Sequence, residues 1–306
     1  MTIIRYFLLG FALLFIQNSF AQQINIATYN VRYKNSGDEK NGNGWDQRMP
    51  VITDIIQFHD FDIFGAQEIL QQQLKDLGSK LPGYGHVGVG RDDGKQAGEH
   101  AMIFYKKDKF KLLDSGNFWL STRDDVPNKG WDAALPRICS WGAFQHIASG
   151  RKFYFFNTHF DHVGVVARRE SAKLILRKIG AIAGDNPTIL TGDFNVDQTN
   201  EIYGILTGQQ LADAFETAAF RYATNGTINH FDINTKTKSR IDHILLSKSI
   251  KVNRYGVLTD TYRSAGKDNA EVSTSGNFPK EVSLQRYEAR LPSDHFPVMA
   301  VIDLNP

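Results

Sequence analysis

Thr191-Gly192-Asp193-Phe194-Asn195 sets a carboxylate and an amide two residues apart at the end of a short apolar run, Thr188-Ile189-Leu190. Asn186-Pro187 is a turn that opens this run, so the stretch reads as a core strand delivering Asp193 and Asn195 at its C-terminal end. A period of two places both on the same side of an extended backbone. Their oxygens suit a hard cation such as Mg²⁺ or Mn²⁺. A G-D-x-N tetrad also occurs in ordinary turns, and its weight comes from its company. Asn30, Glu68, His159, Asp242 and the pair Asp294-His295 each sit at one end of an apolar run of their own.

The elements that must carry these residues follow from hydrophobic spacing. Ile24 to Asn30 alternates as a first strand, and a polar loop runs from Ser36 to Asn43. Met49, Ile52, Ile55 and Ile56 mark an amphipathic helix over Trp45–His59, with Pro50 expected in its first turn. Phe61 to Glu68 is a buried strand ending in a carboxylate. Leu70, Leu74, Leu77 and Leu81 form a helical stripe closed by Pro82-Gly83. Tyr84 to Val89, Ala101 to Tyr105 and Phe110 to Leu120 read as strands, with a glycine-rich loop from Gly90 to Gly98. Ser121 to Pro136 is a long polar excursion, and loops of that size usually have a function; a surface flap pinned by Trp131 is the plainer alternative. Ile138–Ile147 and Phe153–His159 read as a hairpin pair, Arg168–Ala183 as a helix, Thr199–Leu206 as a short helix or turn, and Leu211–Thr224 as mixed. Ile241–Leu246 carries Asp242 near its start, Ser264–Lys280 is a polar loop, and Ser293-Asp294-His295 leads into a closing strand ending at Ile302. Many strands with few helices, in a strand–helix rhythm in both halves, argue for packed sheets with helices outside.

The chain has 306 residues, 42% hydrophobic and 22% charged, with a formal net charge of +2. This is an ordinary globular composition, and near-neutrality gives no whole-molecule argument for a polyanionic partner. Residues 1–21 differ from the rest. Arg5 precedes a nearly unbroken apolar run from Tyr6 to Ile16, and Asn18-Ser19-Phe20-Ala21 ends in small residues. This reads as a secretory signal peptide cut after Ala21, too short to span a bilayer comfortably. Residues 22–306 are then one domain, exported to the periplasm or the medium, with no stable membrane insertion and no protein partner evident. The lone Cys139 has no internal partner for a bridge and reads as a packed small hydrophobe.

In order and context, six motifs resemble the endonuclease/exonuclease/phosphatase superfamily, which includes DNase I and the apurinic endonucleases. They are Tyr29-Asn30, Gln67-Glu68, Asn157-Thr158-His159, Gly192-Asp193-Phe194-Asn195, Arg240-Ile241-Asp242-His243 and Ser293-Asp294-His295-Phe296-Pro297-Val298. The resemblance implies a four-layered α/β sandwich, two central mixed sheets with helices on both outer faces, and metal-dependent cleavage of phosphate esters. Carried over by position, Glu68 is the principal metal ligand with Asn30 beside it, and Asp294 a further metal-side carboxylate. Asp193 orients or deprotonates the attacking water, and Asn195 holds a phosphate oxygen or shares the metal. Asp242 fixes the tautomer of His295, His159 faces the phosphate from the other side, and Glu99 backs His159. Arg137 matches a phosphate-contacting arginine more loosely.

The chemistry accounts for these types. An anionic phosphate ester needs its charge neutralised as the transition state develops, and carboxylate-held histidines exchange protons near neutral pH. Taken singly, Asn30 is also a turn former, Glu68 a helix N-terminal carboxylate, Asp294 a cap, and His243 a structural residue. The sequence leaves open whether one ion or two are used and which histidine is the base, with His295 favoured. The leading reading is a secreted phosphodiesterase or nuclease acting on a phosphate-ester substrate, nucleic acid among the candidates. The alternatives are a phosphomonoesterase or a lipid or sugar-phosphate phosphodiesterase on the same site, and a non-catalytic binding domain. The Trp-Cys-Asp-Arg run of inositol phosphatases is absent. Gly116–Arg137, with Trp119 and Trp131, resembles a secreted bacterial subgroup and offers rings that can stack on a base, a sugar or a lipid head group.

Overall fold

A computed structural model describes residues 23–208, 210–265, 271–272 and 284–304. The signal-peptide stretch 1–21 and most of the polar loop Ser264–Lys280 lie outside the described residues. In chain order the first half contains β1 (Gln23–Asn30), α1 (Ser36–Lys40), α2 (Trp45–Phe58), β2 (Ile63–Ile69), α3 (Gln71–Lys80), β3 (Tyr84–Val87), β4 (His100–Lys106) and β5 (Phe110–Trp119). The middle contains β6 (Ile138–His146), β7 (Lys152–His159), α4 (Val165–Ala183), β8 (Thr188–Asp193), α5 (Glu201–Thr207), β9 (Leu211–Asp213), α6 (Ala214–Thr217) and β10 (Phe220–Tyr222). The remainder is β11 (Asp242–Ser247), β12 (Lys251–Val257), β13 (Tyr262–Ala265), β14 (Glu271–Val272), β15 (Leu284–Gln285), β16 (Tyr287–Arg290) and β17 (Val298–Asp303).

Among the described residues, two large mixed sheets dominate, in the orders β10-β12-β17-β1-β2-β4-β3 and β5-β6-β7-β8-β11-β9. Strand alternation builds four layers from them. Ile24, Ile26 and Ile63 of the first sheet meet Phe153, Phe155, Ile189 and Ile244 of the second in the central core. The opposite parity of the first sheet, Ala27, Tyr29, Phe64 and Ala66, packs under α2 and α3. Phe156, Leu190 and Leu245 pack under α4 and α5. The four-layered α/β sandwich expected from the sequence is the observed fold.

Towards the functional end, the central layer turns polar. Gln67 Nε2 donates to Asn157 Oδ1 (2.7 Å) and Thr28 Oγ1 (3.0 Å), and Asn157 Nδ2 donates to the carbonyls of Ala66 (3.0 Å) and Met102 (2.8 Å). Thr191 Oγ1 donates to the same Asn157 oxygen at 3.1 Å. This latch satisfies every group it buries except Gln67 Oε1 and fixes the inter-sheet register directly beneath the site. The sheets approach so closely here that a Cβ on Gly65 would overlap Thr191 Oγ1 and Asn157 Oδ1.

Two local expectations are corrected. Ser36–Lys40 is a short helix inside the expected loop, because the Asn35 side chain accepts from Asp38 N at 2.9 Å and caps it. Pro50 lies in the second turn of α2, which already starts at Trp45. Lacking an N–H, it leaves the helix one backbone bond short there.

Candidate active site

Four strand ends converge on one cleft through shared parity. Asn30 closes the inward row Ile24, Ile26, Thr28, and Asp193 closes the row Ile189, Thr191. Asp193 lies in register with His159 on its parallel neighbour β7 and with Asp242 on antiparallel β11, so three site residues sit side by side across one sheet. Glu68 breaks the pattern. It follows inward-facing Gln67 and would point to the helices, but its φ is +63° and the β2–β4 register shifts between Ala66 and Ile69. The bulge turns its carboxylate into the cleft. Asn195 lies beyond the end of β8 in a left-handed conformation (φ +50°), so it is a turn and not strand alternation that places it near Asp193.

The polar contacts are dense. Asn30 Nδ2 donates to Glu68 Oε1 at 3.1 Å and to Asp193 Oδ2 at 3.0 Å, while Glu68 Oε2 accepts from Tyr33 N at 3.1 Å. Asn30 thus faces Glu68 with its nitrogen and not its oxygen. His295 Nδ1 lies 2.9 Å from Asp242 Oδ2, and His295 Nε2 lies 3.8 Å from Asp193 Oδ2. Burial opposes charging His295, but Asp242 and Asp193 overcome this and hold its imidazole well above the usual range. His159 is the reverse: burial, then Arg137 and Arg91, hold its imidazole well below the usual range. Asn195 Nδ2 donates to Phe160 O at 3.0 Å and lies 3.2 Å from His159 Nε2. One amide proton is therefore engaged by Phe160, and the group also faces the His159 ring. Burial and the charge of Asp242 push Asp193 up to about 7, against His295 and its hydrogen bonds from Asn195 and Asn30.

Glu99 is less simply the partner of His159 than the sequence implied. Its two oxygens form a fork with Arg91 Nη1 and Nη2, both at 2.8 Å, and His159 Nδ1 stands 3.7 Å away. Arg137 is almost fully buried, with Nε 3.4 Å from Asp161 Oδ2 and Nη2 2.9 Å from His162 Nδ1; its Nη1 has no partner. Asp161 also accepts from the backbone of Ala134, Leu135, Val163 and Gly164 at 2.7–3.3 Å, pinning the end of the flap 121–136. Asp132 in turn accepts from Val166 N and Ala167 N at the start of α4. Asp294 lies 3.4 Å from Arg32 Nη1, and burial raises its carboxyl against His295, with Glu68 adding repulsion.

Of the residues expected from the sequence, Glu68, Glu99, Arg137, His159, Asp193, Asn195, Asp294 and His295 line one pocket of ≈ 430 Å³. Asn30 and Asp242 sit buried behind it. Arg32, Tyr33, Leu135, His162, Ile228, His230 and Ile241 complete the wall and were not anticipated. Arg32 was in principle detectable, two residues beyond Asn30; His162 and His230 carried no spacing signal. Asp193, Asp242 and His295 lie close enough for one ligand atom from each to meet a metal ion within 4.8 Å of the others. Asp242 engages His295 through Nδ1 and leaves Nε2 facing Asp193, an arrangement that serves a metal ligand as well as a proton donor. Glu68 and Asp294 are the remaining oxygen donors, and their mutual repulsion is what a divalent cation relieves.

The chain belongs to the Endonuclease/Exonuclease/phosphatase family, whose model matches residues 27–295. It is a hydrolase of phosphate esters, in a family that generally uses divalent metals. An endonuclease/exonuclease/phosphatase family protein of Bacteroides thetaiotaomicron is 51% identical, with 92% of this chain and 98% of that one covered at a TM-score of 0.85. The mannosyl-6-phosphatase Bt3783 of Bacteroides thetaiotaomicron VPI-5482 is 51% identical, with 91% of this chain and 99% of that one covered at a TM-score of 0.84. An uncharacterized Acanthamoeba polyphaga mimivirus protein, L388, is 26% identical over 272 residues, 85% of this chain and 92% of its own.

Proposed function

We propose that this chain is an exported, Mg²⁺- or Mn²⁺-dependent phosphomonoesterase acting on sugar 6-phosphates, mannose 6-phosphate first among them. The observation that carries the reading is the unpaired Nη1 of buried Arg137 in a pocket that also presents the charged ring of His295. Such a pocket suits the three non-bridging oxygens of a terminal phosphate better than a continuous strand, which needs an open groove. The similarity to the mannosyl-6-phosphatase supports the sugar leaving group. The diesterase reading favoured by sequence becomes the alternative.

Glu68 and Asp294 would hold the cation, with Asn30 orienting Glu68, and the ion would supply charge neutralisation at the phosphate. Asp193, poised near neutrality, takes the proton of the attacking water. The water oxygen bonds to phosphorus as the P–O bond to the sugar breaks; His295, anchored by Asp242, donates from Nε2 to a phosphate oxygen as negative charge develops there, and the departing sugar oxygen takes its proton from solvent. Arg137 binds a second oxygen through Nη1. His159, held by Asn195 and faced by Glu99, lines the opposite side. The domain comprises residues 22–306, freed by cleavage after Ala21; mass spectrometry of the exported protein should find Gln22 at its start.

The test compares p-nitrophenyl phosphate, bis-p-nitrophenyl phosphate and mannose 6-phosphate at equal Mg²⁺. The monoesters should turn over at least tenfold faster than the diester. A preference for the diester would return the reading to the phosphodiesterase.

A further inference from the structure

His162 is not used by the mechanism above, yet it stands exposed on the pocket wall, three residues after His159. Its Nδ1 lies 2.9 Å from Arg137 Nη2. A guanidinium only donates, so Nδ1 must accept. That tautomer carries a proton on Nε2, the ring nitrogen that Arg137 does not engage. Its position is fixed from behind: Asp161, 2% exposed, accepts from the backbone of Val163 and Gly164, which follow it, and faces Arg137 Nε as well. Arg137, which lines the pocket with Nη1 unpaired, thus shares one planar group with the His162 contact at Nη2. A group bonded through its ester oxygen to a phosphate at Nη1 comes to lie beside the His162 ring.

We propose that His162 is a specificity-determining residue whose Nε2–H binds a hydroxyl of the leaving alcohol, favouring phosphate monoesters of polyols such as sugars over those of plain phenols. This rests on the monoesterase reading. Where the bound ester displaces water from this wall, an N–H left without an acceptor discriminates more strongly than apolar contact.

The experiment measures kcat/KM for wild type, His162→Leu and His162→Gln on mannose 6-phosphate and on phenyl phosphate, whose leaving group has no second hydroxyl. The leucine variant should lose about tenfold more on the sugar ester than on phenyl phosphate. Glutamine can accept from Arg137 through its oxygen and donate through its nitrogen, so it should recover most of the difference. Equal losses on both substrates, in a wild type that prefers the sugar ester, would overturn this inference alone. A wild type without that preference would overturn the proposed substrate class and this inference with it.

Discussion

The Asp161 carboxylate tests whether the flap is held as described. It accepts four backbone N–H groups and faces Arg137, with its side chain almost fully buried. Burial works to raise its pKa, and the hydrogen bonds and Arg137 outweigh it, leaving the group at about 2. A lowered carboxyl contributes stability that is present above its unfolded value near 4 and is lost as pH falls through its folded value. From ~3.8 to about 2, the shift is worth ~2.5 kcal/mol at pH 7 and roughly half that at pH 3. Asp161→Asn keeps the shape but turns an NH₂ group toward backbone donors. It should lower unfolding free energy by ~2.5 kcal/mol at pH 7 in urea titrations, with the deficit shrinking towards pH 3. With Leu135 and Arg137 released, kcat/KM should fall by roughly tenfold or more, since small misplacements at a reacting centre are costly. A variant as stable as wild type at pH 7, or a deficit unchanged between pH 7 and pH 3, would refute the carboxylate's anchoring role.

Other outcomes follow from the same geometry. Gly65→Ala should destabilise by about 1–3 kcal/mol or more in urea unfolding, because the added methyl meets Thr191 and Asn157 of the facing sheet; an unchanged midpoint would contradict that close approach. Asp242→Asn should lower kcat by roughly a hundredfold, about 3 kcal/mol, the lower end for a broken buried pair because Asp193 still faces His295. His295 is raised, so its contribution to stability is full below about pH 6.5 and lost as pH rises through its folded value. Metal-free urea titrations from pH 6 to 9 should therefore show a decline in wild type that is shallower in Asp242→Asn; parallel curves would exclude the pairing.

Much of this was legible in the sequence because an inward strand row that ends in a polar residue must place that residue at the edge of the core. Asn30, Asp193, Asp242 and His159 were found that way. Glu68 was found by its motif but not by geometry, since a bulge and a positive φ, invisible to a period of two, turn it into the cleft. Strand alternation was the reason given for placing Asn195 beside Asp193, but a turn at positive φ does so, with the amide on Phe160 and facing His159. Arg91 was missed because its fork with Glu99 spans a glycine-rich loop whose ends meet only in three dimensions. His162 and His230 stand on loops, where no periodicity reports direction. α1 was hidden because a single Asn35 cap nucleates it among residues of loop composition.

The central claim is that Glu68, Asp294 and Asp193 make this pocket a cation-dependent phosphomonoesterase site for a sugar ester. The most direct measurement is phosphate release from mannose 6-phosphate by residues 22–306, with Mg²⁺ and with EDTA, beside Asp193→Asn. Release with Mg²⁺ that EDTA abolishes and the variant lowers by at least a hundredfold is the predicted result. Release that persists in EDTA, or that survives in Asp193→Asn, would contradict the account.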